Sequence, residues 1–435
     1  MAMDTGAIGK MVIDGATKGV PGGVAPFALD DVAGHGWNLL REDLPLPVAV
    51  IRESAMDHNE RWMHRFLELS GAKFAPHGKT TMSPQLFERQ LASGAWAITL
   101  ATPHQIQVAR RYGVPRIVLA NQLLGAPAIR FVLDELHRDP GFEFYCIVDS
   151  VEGVERLGEA VAAHPLTRPL TVWVEGGAMG GRTGARTIES ALAVARRVRD
   201  FAPHLALTGV EGFEGLLEAD SAAAQDRVVA DFLGYLCEIA AACDAEGLFG
   251  DVSPVILSAG GSAFYDMVVE RFRAALPGRE TMVLTRSGCY LTHDSKMYTD
   301  FFARLRARTR LADNAGPGLR PALEVWAYVQ SRPEPGKAVL TFGKRDVSYD
   351  AHLPVLEQWY RPGTHQAPIP CPPGGVVTGL NDQHAHVRLP ADSPLAVGDM
   401  VSVGISHPCT TFDKWQVIWL VDDDYRVTGA VRTFF

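Results

Sequence analysis

Short apolar segments alternate with amphipathic helical segments through the middle of this 435-residue chain, and this alternation limits the fold more than any other feature. Strand candidates begin near Lys73, Ala97, Arg116, Glu143, Leu170, Leu205, Pro254 and Thr281. Helical patterns, such as Pro103–Tyr112, Val151–Ala163 and Ser221–Glu246, separate most of them, and hairpin turn signals are missing between them. Strands joined in this way form a parallel sheet, and eight units in about 230 residues suit a closed (β/α)8 barrel. A doubly wound sheet has the same local pattern and stays open as an alternative.

The two ends of the chain differ from this pattern. Val48–Ile51 is predicted to be a ninth strand, which must lie outside an eight-stranded barrel. After about residue 305, prolines and glycines cluster around short β-type runs. These runs are Glu324–Gln330, Ala338–Phe342, Ala385–Leu389, Met400–Ile405 and Val417–Val421. We predict an α/β barrel domain over residues 48–304 and an all-β domain over residues 305–435, with the Gly-rich residues 1–24 forming a flexible arm or a cap.

Composition narrows the classes of partner. With 47% hydrophobic and 21% charged residues, the chain has the balance of a soluble globular protein. A formal charge of −9 argues against nucleic acid or an anionic membrane as a partner. The six cysteines are scattered without CxxC pairs, and no segment approaches the roughly 18 apolar residues of a membrane span. We therefore expect a cytoplasmic protein that acts on small molecules.

Lys79 lies in the segment Pro76-His-Gly-Lys-Thr80, just after the short strand that begins at Lys73. The C-terminal ends of the strands form the working face of a βα barrel, so Lys79 is placed on that face. A lysine there can form an imine with a carbonyl cofactor, and Gly78 removes side-chain bulk beside it. A solvated loop lysine has the same pattern. Lys73 is the rival, but it begins the strand and therefore lies at the opposite face.

Three later strand ends carry loops suited to anions or to close backbone approach. Glu175–Gly184 holds five glycines around the cation of Arg182, although loops in general favour glycine. Ser258–Ser262 combines exposed N–H groups, a hydroxyl and a helix N-terminus, which together are typical of an anion site. Arg286–Tyr290 follows the next strand and is a second candidate phosphate wall.

His407 and Cys409 stand at the end of the β-type run Met400–Ile405, with His384 and His386 upstream. A histidine and a thiolate two residues apart can share a divalent metal, and the soft sulfur favours Zn²⁺. A chance histidine beside a buried cysteine is the alternative.

Taken in order, these motifs resemble those of the fold-type III enzymes that use pyridoxal 5'-phosphate (PLP), the alanine racemase-like group. The resemblance is closer to the D-serine dehydratase/D-threonine aldolase branch, and it rests on PHGKT, AMGGRTG, AGGS, RSGCY and SHPCTTFDKW between about Pro47 and Trp415. It implies a (β/α)8 barrel whose first strand carries the Schiff-base lysine, and a C-terminal all-β domain that also takes in residues 1–47. It also implies a homodimer, with the active site at the junction of one subunit's barrel and the partner's β domain.

The resemblance assigns roles to individual residues. Lys79 is the Schiff-base lysine and Arg182 contacts the phenolic oxygen of the cofactor. Asp350 agrees with a family pattern that we interpret as structural, while Gln383 replaces a frequent Glu, which leaves the role of His384 open. The remaining contacts are the phosphate on Gly260, Gly261 and Ser262 with Gly288 and Cys289, Tyr290 on the same wall, Arg286 near the pyridine nitrogen, and a metal, preferably Zn²⁺, on His407 and Cys409.

The activity implied by the resemblance is PLP- and metal-dependent dehydration of D-3-hydroxy amino acids, such as D-serine or D-threonine, to a 2-oxo acid and ammonia. Cys409 favours this carbon–oxygen lyase reaction, because aldolases of the branch are similar but carry a carboxylate at that position. The alternatives are a D-threonine-type aldolase, an amino-acid racemase and a non-catalytic PLP-homeostasis protein. A racemase needs a second base facing Lys79, and homeostasis proteins lack the second domain. Decarboxylases of this fold also use a late cysteine, but PHGKT and AGGS fit them less well.

Overall fold

The computed structural model describes residues 3–435, so the first two residues of the predicted arm lie outside the described residues. The rest of the arm is packed against the protein. It forms α1 (Gly6–Gly9) and the antiparallel pair β1 (Val12–Ile13) and β2 (Phe27–Ala28), and Ile8 is fully buried. Of the two predicted alternatives, the arm is therefore a cap.

The N-terminal segment joins the C-terminal part of the chain, as the resemblance implied. Trp419 Nε1 donates a hydrogen bond to the carbonyl of Gly19 at 3.2 Å, and the N–H of Leu39 donates to the carbonyl of Tyr425 at 3.0 Å. β3 (Val48–Arg52) then pairs with two strands of the C-terminal sheet. This strand lies outside the barrel as predicted, and its hydrogen bonds are to strands of the β domain.

Eight parallel strands form the central sheet. The strands are apolar and buried along most of their length, as expected of a parallel sheet that is covered on both faces. The strands are β4 (Lys73–Phe74), β5 (Ile98–Leu100), β6 (Arg116–Gln122), β7 (Glu143–Val148), β8 (Leu170–Gly176), β9 (Leu205–Gly212), β10 (Val255–Ala259) and β11 (Thr281–Thr285).

The sheet closes into a barrel rather than staying open. β4 lies beside β11 at one end of the strand order, and a parallel bridge between His77 and Thr99 joins its continuation to β5 at the other. The N–H of Thr99 donates to the carbonyl of Pro76 at 2.8 Å across this seam. The interior is filled by a separate apolar cluster consisting of Ala75, Ala97, Val118, Ile147, Trp173, Ile256 and Leu284. The closed barrel is therefore the correct choice between the two predicted architectures.

Helices cover the outside of the barrel, one after each strand. Several begin at hydroxyl N-caps that accept a hydrogen bond from the first turn, as Ser221 does from the N–H of Ala224. The helices are α2 (Glu53–Ser70), α3 (Pro84–Ala92), α4 (Pro103–Arg111), α5 (Ala126–Arg138), α6 (Val151–Ala162), α7 (Ile188–Asp200), α8 (Ala222–Ala245), α9 (Tyr265–Phe272), α10 (Met297–Arg308) and α11 (Arg310–Asn314). None of the helices within residues 3–435 combines the length and the apolar character that crossing a bilayer requires.

The C-terminal part is a largely antiparallel β domain with one short helix, α12 (Cys409–Phe412). Its strands are β12 (Leu323–Glu334), β13 (Lys337–Leu340), β14 (Val355–Tyr360), β15 (Ile369–Pro370), β16 (Val376–Leu380), β17 (Ala385–Arg388), β18 (Met400–Gly404), β19 (Val417–Val421) and β20 (Val427–Arg432). The five predicted runs correspond to β12, β13, β17, β18 and β19. Sequence patterning missed β14 because its residues are mostly half-buried, so neither a continuous nor an alternating apolar pattern arises.

Candidate active site

A cavity of about 410 Å³ lies where the C-terminal ends of the barrel strands meet the β domain. This is the face on which Lys79 was predicted to lie. Loops from the barrel and residues of the β domain both contribute to its wall. The predicted residues that line it are Lys79, Arg182, Gly260, Ser262, Arg286, Gly288, Cys289, His407 and Cys409. Groups that are far apart in the sequence are therefore neighbours.

Lys79 is presented by a single turn of 3-10 helix, Gly78–Thr80, directly after the first barrel strand. Gly78 is buried, and a Cβ atom at this position would lie 2.6 Å from Ile98 Cγ2 and 2.8 Å from the ring of Phe87. A larger residue would therefore push the turn away from the barrel. Lys73, the rival, is exposed at the start of β4 and does not line the cavity.

His77 also lines the cavity, although sequence reasoning passed over it. Its Nδ1 atom is buried and has no hydrogen-bond partner within residues 3–435. Burial lowers the pKa of His77 well below its usual range, and the positive charges of Lys79, Arg286 and Arg182 lower it further. The ring is therefore neutral, with a polar atom left for a ligand to satisfy.

The predicted phosphate loop after β10 is present, but two of its N–H groups already hold an anion. The N–H groups of Gly260 and Gly261 donate to the Glu214 carboxylate at 3.1 and 2.6 Å. Ser262 Oγ, at the end of the loop, accepts a hydrogen bond from Ser287 Oγ at 2.9 Å. Glu214 is completely buried, and burial raises the pKa of its carboxyl group above the ordinary value. The loop is thus built to bind an anion, and the chain itself supplies one.

The second predicted wall, after β11, packs tightly against the turn that carries Lys79. A Cβ atom on Gly288 would lie 2.7 Å from both His77 Cβ and Thr80 Oγ1, so only glycine allows this approach. Tyr290 does not share the wall as predicted. It does not line the cavity of Lys79; its buried ring packs edge-on against Phe74 at 5.0 Å and lines a small separate cavity with Ser262 and Cys289.

Arg286 is buried at the barrel end of the cavity and is held by an ion pair. Its guanidinium lies 2.6 Å from Glu211 Oε2, and its Nη1 donates to Ser258 Oγ at 2.7 Å. Burial and the negative charge of Glu211 raise the pKa of the neighbouring Glu175 to about 7. Two carboxyl groups and one cation therefore lie together, and one of the carboxyl groups titrates near neutral pH.

Arg182 lines the cavity from the Gly-rich loop after β8. Its side chain is exposed, and its guanidinium lies over the ring of Phe213 at 5.1 Å. The loop is held by Arg186, whose guanidinium donates to the carbonyls of Thr183 and Gly181 at 2.6 and 2.9 Å. Arg182 is thus an accessible cation on an ordered loop.

His407 and Cys409 face the barrel from the β domain of the same chain. His407 Nδ1 lies 2.6 Å from Asp350 Oδ2, and Thr410 Oγ1 donates to the other oxygen of Asp350 at 2.7 Å. Burial alone would lower the pKa of His407, but Cys409 and Asp350 reverse this and raise it to about 9. Asp350, which we had interpreted as structural, therefore orients the histidine.

Cys409 lies against two residues of the barrel. Its Sγ is 3.3 Å from Thr80 Oγ1 and 3.8 Å from the Sγ of Cys289. All six cysteines are free thiols, as the scattered pattern predicted. Within residues 3–435, no three His, Cys, Asp or Glu side chains are already gathered at the spacing of metal ligands.

Some predicted parts of the site lie elsewhere in this chain. None of the residues in the β-domain loops His365–Pro373 and Asn381–His386 lines the cavity, and His384 is exposed. Residues that line it without having been predicted are His77, Thr80, Ala101, Ala120, Asn121, Phe213, Gly215, Leu216, Met297, Tyr298, Asp350 and Ala351. The sequence signal that could have identified Glu211 and Glu214 is their position. Glu211 lies near the end of the apolar strand β9, and Glu214 lies two residues after it.

Comparison with known proteins supports the same assignment of fold. Residues 322–421 match the family described as "Putative serine dehydratase domain", a span that contains Asp350, His407 and Cys409. A D-threonine aldolase from Arthrobacter sp is 24% identical over 408 residues, which are 91% of this chain and 94% of that protein.

Solved structures of related fold superpose on nearly the whole chain. A D-threonine aldolase from Filomicrobium marinum superposes with a TM-score of 0.72 at 19% identity, covering 92% of this chain and 97% of the other. A D-threo-3-hydroxyaspartate dehydratase from Delftia sp. HT23 gives 0.69 at 21% identity, covering 91% and 99%, and a cysteine-to-alanine variant of such a dehydratase is known in a metal-free form. The chain has the alanine racemase-like fold, which confirms the fold predicted from the resemblance of its motifs.

Proposed function

We propose that this protein is a PLP- and metal-dependent dehydratase of D-3-hydroxy amino acids, a lyase that gives a 2-oxo acid and ammonia. D-Serine would give pyruvate and D-threonine would give 2-oxobutanoate. Water lost in the elimination is regained when the enamine product hydrolyses, so the net change is release of ammonia. The observation that carries the proposal is the meeting of Lys79 with His407 and Cys409 in one cavity.

The groups around the cavity fit PLP. The loop at Gly260 and Gly261 already binds a carboxylate through two N–H groups, which is the donor arrangement that a phosphate requires. The buried Nδ1 of His77 has no partner within residues 3–435, and Lys79 supplies the primary amine that an aldehyde needs for covalent attachment. The residues proposed to hold PLP are Lys79, Arg182, Gly260, Gly261, Ser262, Arg286, Gly288 and Cys289.

When bound, PLP would supply an electron-withdrawing ring that makes the Cα proton of an attached amino acid acidic. Lys79 would hold the cofactor through its primary amine, and as a free amine it would accept the Cα proton. Arg182 offers a fixed positive charge to an oxyanion. Arg286 cannot act as an acid or a base, because a guanidinium keeps its proton. It contributes hydrogen-bond donors, and Glu211 balances its positive charge.

A divalent metal on His407 and Cys409, for which Zn²⁺ is preferred, would supply Lewis acidity for the departure of the 3-hydroxyl, since hydroxide is a poor leaving group. Asp350 accepts the hydrogen bond from His407 Nδ1, so the other ring nitrogen is the one presented for coordination. A soft sulfur donor at Cys409 favours Zn²⁺ over Mg²⁺ or Mn²⁺.

A D-threonine-type aldolase is the second candidate, because the D-threonine aldolases of two organisms align with this chain over more than nine-tenths of its length. In that reaction the Cα–Cβ bond breaks and the 3-hydroxyl loses its proton, giving glycine and an aldehyde. The cysteine at position 409 is the feature that favours the dehydratase.

Incubation of the purified protein with PLP and D-serine, D-threonine, D-threo-3-hydroxyaspartate and the L-enantiomers separates these reactions by product. We expect a 2-oxo acid and ammonia from the D-substrates, loss of activity with EDTA and recovery with Zn²⁺. Cys409→Ala should lose at least about 100-fold in kcat while the absorbance of bound cofactor is unchanged, and Cys371→Ala, on the β domain, serves as the matched control. Glycine and aldehyde would establish the aldolase, and an inverted amino acid the racemase.

We further expect a homodimer in which the partner's β domain completes the mouth of the cavity. The support is that, within one chain, no residue of the β-domain loops His365–Pro373 and Asn381–His386 lines the cavity. A monomer in light scattering at the concentration of full activity would contradict this expectation.

A further inference from the structure

We propose that Cys289 is a third protein ligand of the metal, so that the metal is held by Cys289, His407 and Cys409 and connects the barrel to the β domain. The inference rests on the proposed function for the presence of a metal. The inference goes beyond that function, because the sequence motifs assign Cys289 to the phosphate wall and not to the metal. The backbone of Cys289 can serve that wall while its side chain points to Cys409.

The separation of the two sulfur atoms carries the inference. Cys289 Sγ and Cys409 Sγ lie 3.8 Å apart. Two sulfurs bound to one tetrahedral zinc at about 2.3 Å each lie about 3.8 Å from one another, whereas a disulfide brings them to about 2.0 Å. Within residues 3–435 no three such donors are already gathered at the spacing of metal ligands, so binding would have to bring Cys289, His407 and Cys409 closer to a common point. The two sulfurs already stand at the separation that the ion would impose.

The surroundings of the pair also suit a metal rather than a packed apolar core. Both sulfurs belong to residues that line the cavity with Lys79, so an ion between them is open to a substrate oxygen. Thr80 Oγ1 lies 3.3 Å from Cys409 Sγ and Tyr298 lines the same space, so the thiol pair sits among polar atoms. Asp350 fixes the ring of His407 beside them.

This ligand set has consequences for the chemistry. Two sulfurs and one histidine leave one tetrahedral position open, and a catalytic zinc requires such an open position. The second thiolate strengthens the preference for zinc over harder ions. Because Cys289 follows β11 in the barrel and Cys409 begins α12 in the β domain, metal removal should also loosen the contact between the two domains.

The test counts sulfur ligands on the intact protein, under reducing conditions that keep both thiols from forming a disulfide. Zinc-loaded and cobalt-loaded wild type, Cys289→Ser and Cys237→Ser are compared by X-ray absorption at the metal edge and by the sulfur-to-cobalt charge-transfer band. Cys237 is half-buried on α8, far from the cavity, and serves as the control. We expect two sulfurs per metal in wild type and in the control, one in Cys289→Ser, and at least a tenfold weaker metal affinity in that variant.

One sulfur per metal in both wild type and Cys289→Ser would overturn the inference. A fold defect does not imitate this result. Because Cys289 is buried, such a defect lowers the melting temperature of metal-free Cys289→Ser and Cys289→Ala, but it does not change the number of sulfurs on each bound metal. A wild-type protein that binds no metal would overturn both this inference and the metal-dependent function. Two sulfurs on the metal without oxo-acid formation would contradict the proposed function and leave the ligand assignment standing.

Discussion

The two sides of the cavity are built in different ways. On the barrel side, each group sits in a loop that follows a strand, and backbone atoms do much of the work, as in the N–H groups of Gly260 and Gly261 that hold Glu214. On the side of the β domain, the chemistry lies in two side chains, His407 and Cys409, within three residues. The barrel side suits a cofactor with a phosphate, and the other side suits a metal.

The difference predicts that the two sides can be disabled separately. Variants on the barrel side should change how the cofactor is retained, and variants on the β-domain side should change how the metal is retained. Two barrel residues are exceptions to this separation. Thr80 belongs to the turn of Lys79 and also contacts Cys409 at 3.3 Å, and Cys289 is the barrel residue proposed as a ligand of the metal.

The largest effect should come from Lys79→Ala. Loss of the only amine in the turn should prevent covalent attachment of PLP and lower kcat at least about 10³-fold. Metal content, measured by elemental analysis, should stay at the wild-type level. Lys73→Ala, at the exposed start of the same strand, is the control and should behave as wild type. If reduction with borohydride labels a different lysine in the wild type, the barrel-side assignment is wrong.

The barrel side was largely predictable from the sequence because topology does the positioning. In a closed parallel barrel all strand ends meet at one face, so a lysine after β4 and a Gly-rich loop after β10 become neighbours without any knowledge of side-chain contacts. Topology alone does not predict the position of Glu214. Its place on the loop of Gly260 depends on a side-chain contact between two strand ends, which periodicity does not encode.

On the β-domain side, Asp350→Asn should weaken metal binding about 10- to 100-fold, because the histidine loses the anion that orients it and raises its basicity. The absorbance of bound PLP should not change. Asp382→Asn provides the matched control, since Asp382 is exposed and pairs only with Arg345 among the described residues. Competition with a zinc-binding dye measures the affinity, and loss of PLP with metal retained would refute the separation of the two sides.

The β domain was less predictable, and His407 shows why. The pattern placed it correctly at the end of β18, but nothing local indicates that Asp350, 57 positions earlier, contacts it. The same limit hid the contact between Cys289 and Cys409, which are 120 positions apart and belong to different domains. Strands such as β14 were missed because half-buried edges leave no clear apolar pattern.

A smaller effect is expected from Glu214→Gln on the barrel side. The carboxylate competes with a phosphate for the N–H groups of Gly260 and Gly261 and repels it, so the neutral amide should improve PLP affinity about tenfold at pH 8. Because burial raises the pKa of Glu214, the wild type becomes neutral as the pH falls, and its difference from the variant should shrink. Fluorescence titration with PLP measures both, with the exposed Glu218→Gln as control. Weaker binding by the variant would mean that Glu214 shapes the loop instead of competing with phosphate.

The smallest effect on activity is expected from a buried carboxyl group of the β domain, whose titration should change stability alone. Glu324 is buried there, away from the cavity, and accepts hydrogen bonds from Trp326 Nε1 at 2.9 Å and from the Tyr425 hydroxyl at 3.0 Å. Burial raises its pKa to about 7, the same value as for Glu175 at the barrel end of the cavity. The unfolded chain has the ordinary, lower pKa, so the folded state binds the proton more tightly. The free energy of unfolding should therefore fall, by up to about 3 kcal/mol, as the pH rises from about 4.5 to 7.

Glu324→Gln removes this titration, because the amide is neutral at every pH and can still accept both hydrogen bonds. The melting temperature of the variant should exceed that of wild type by a few degrees at pH 8 and match it at pH 5, with kcat unchanged at both. Glu334→Gln, on an exposed part of β12, is the control for the lost charge. A difference in melting temperature that is largest at pH 5 would contradict the raised pKa of Glu324. A change in kcat would show that Glu324 is linked to the edge of the β domain that carries His407 and Cys409.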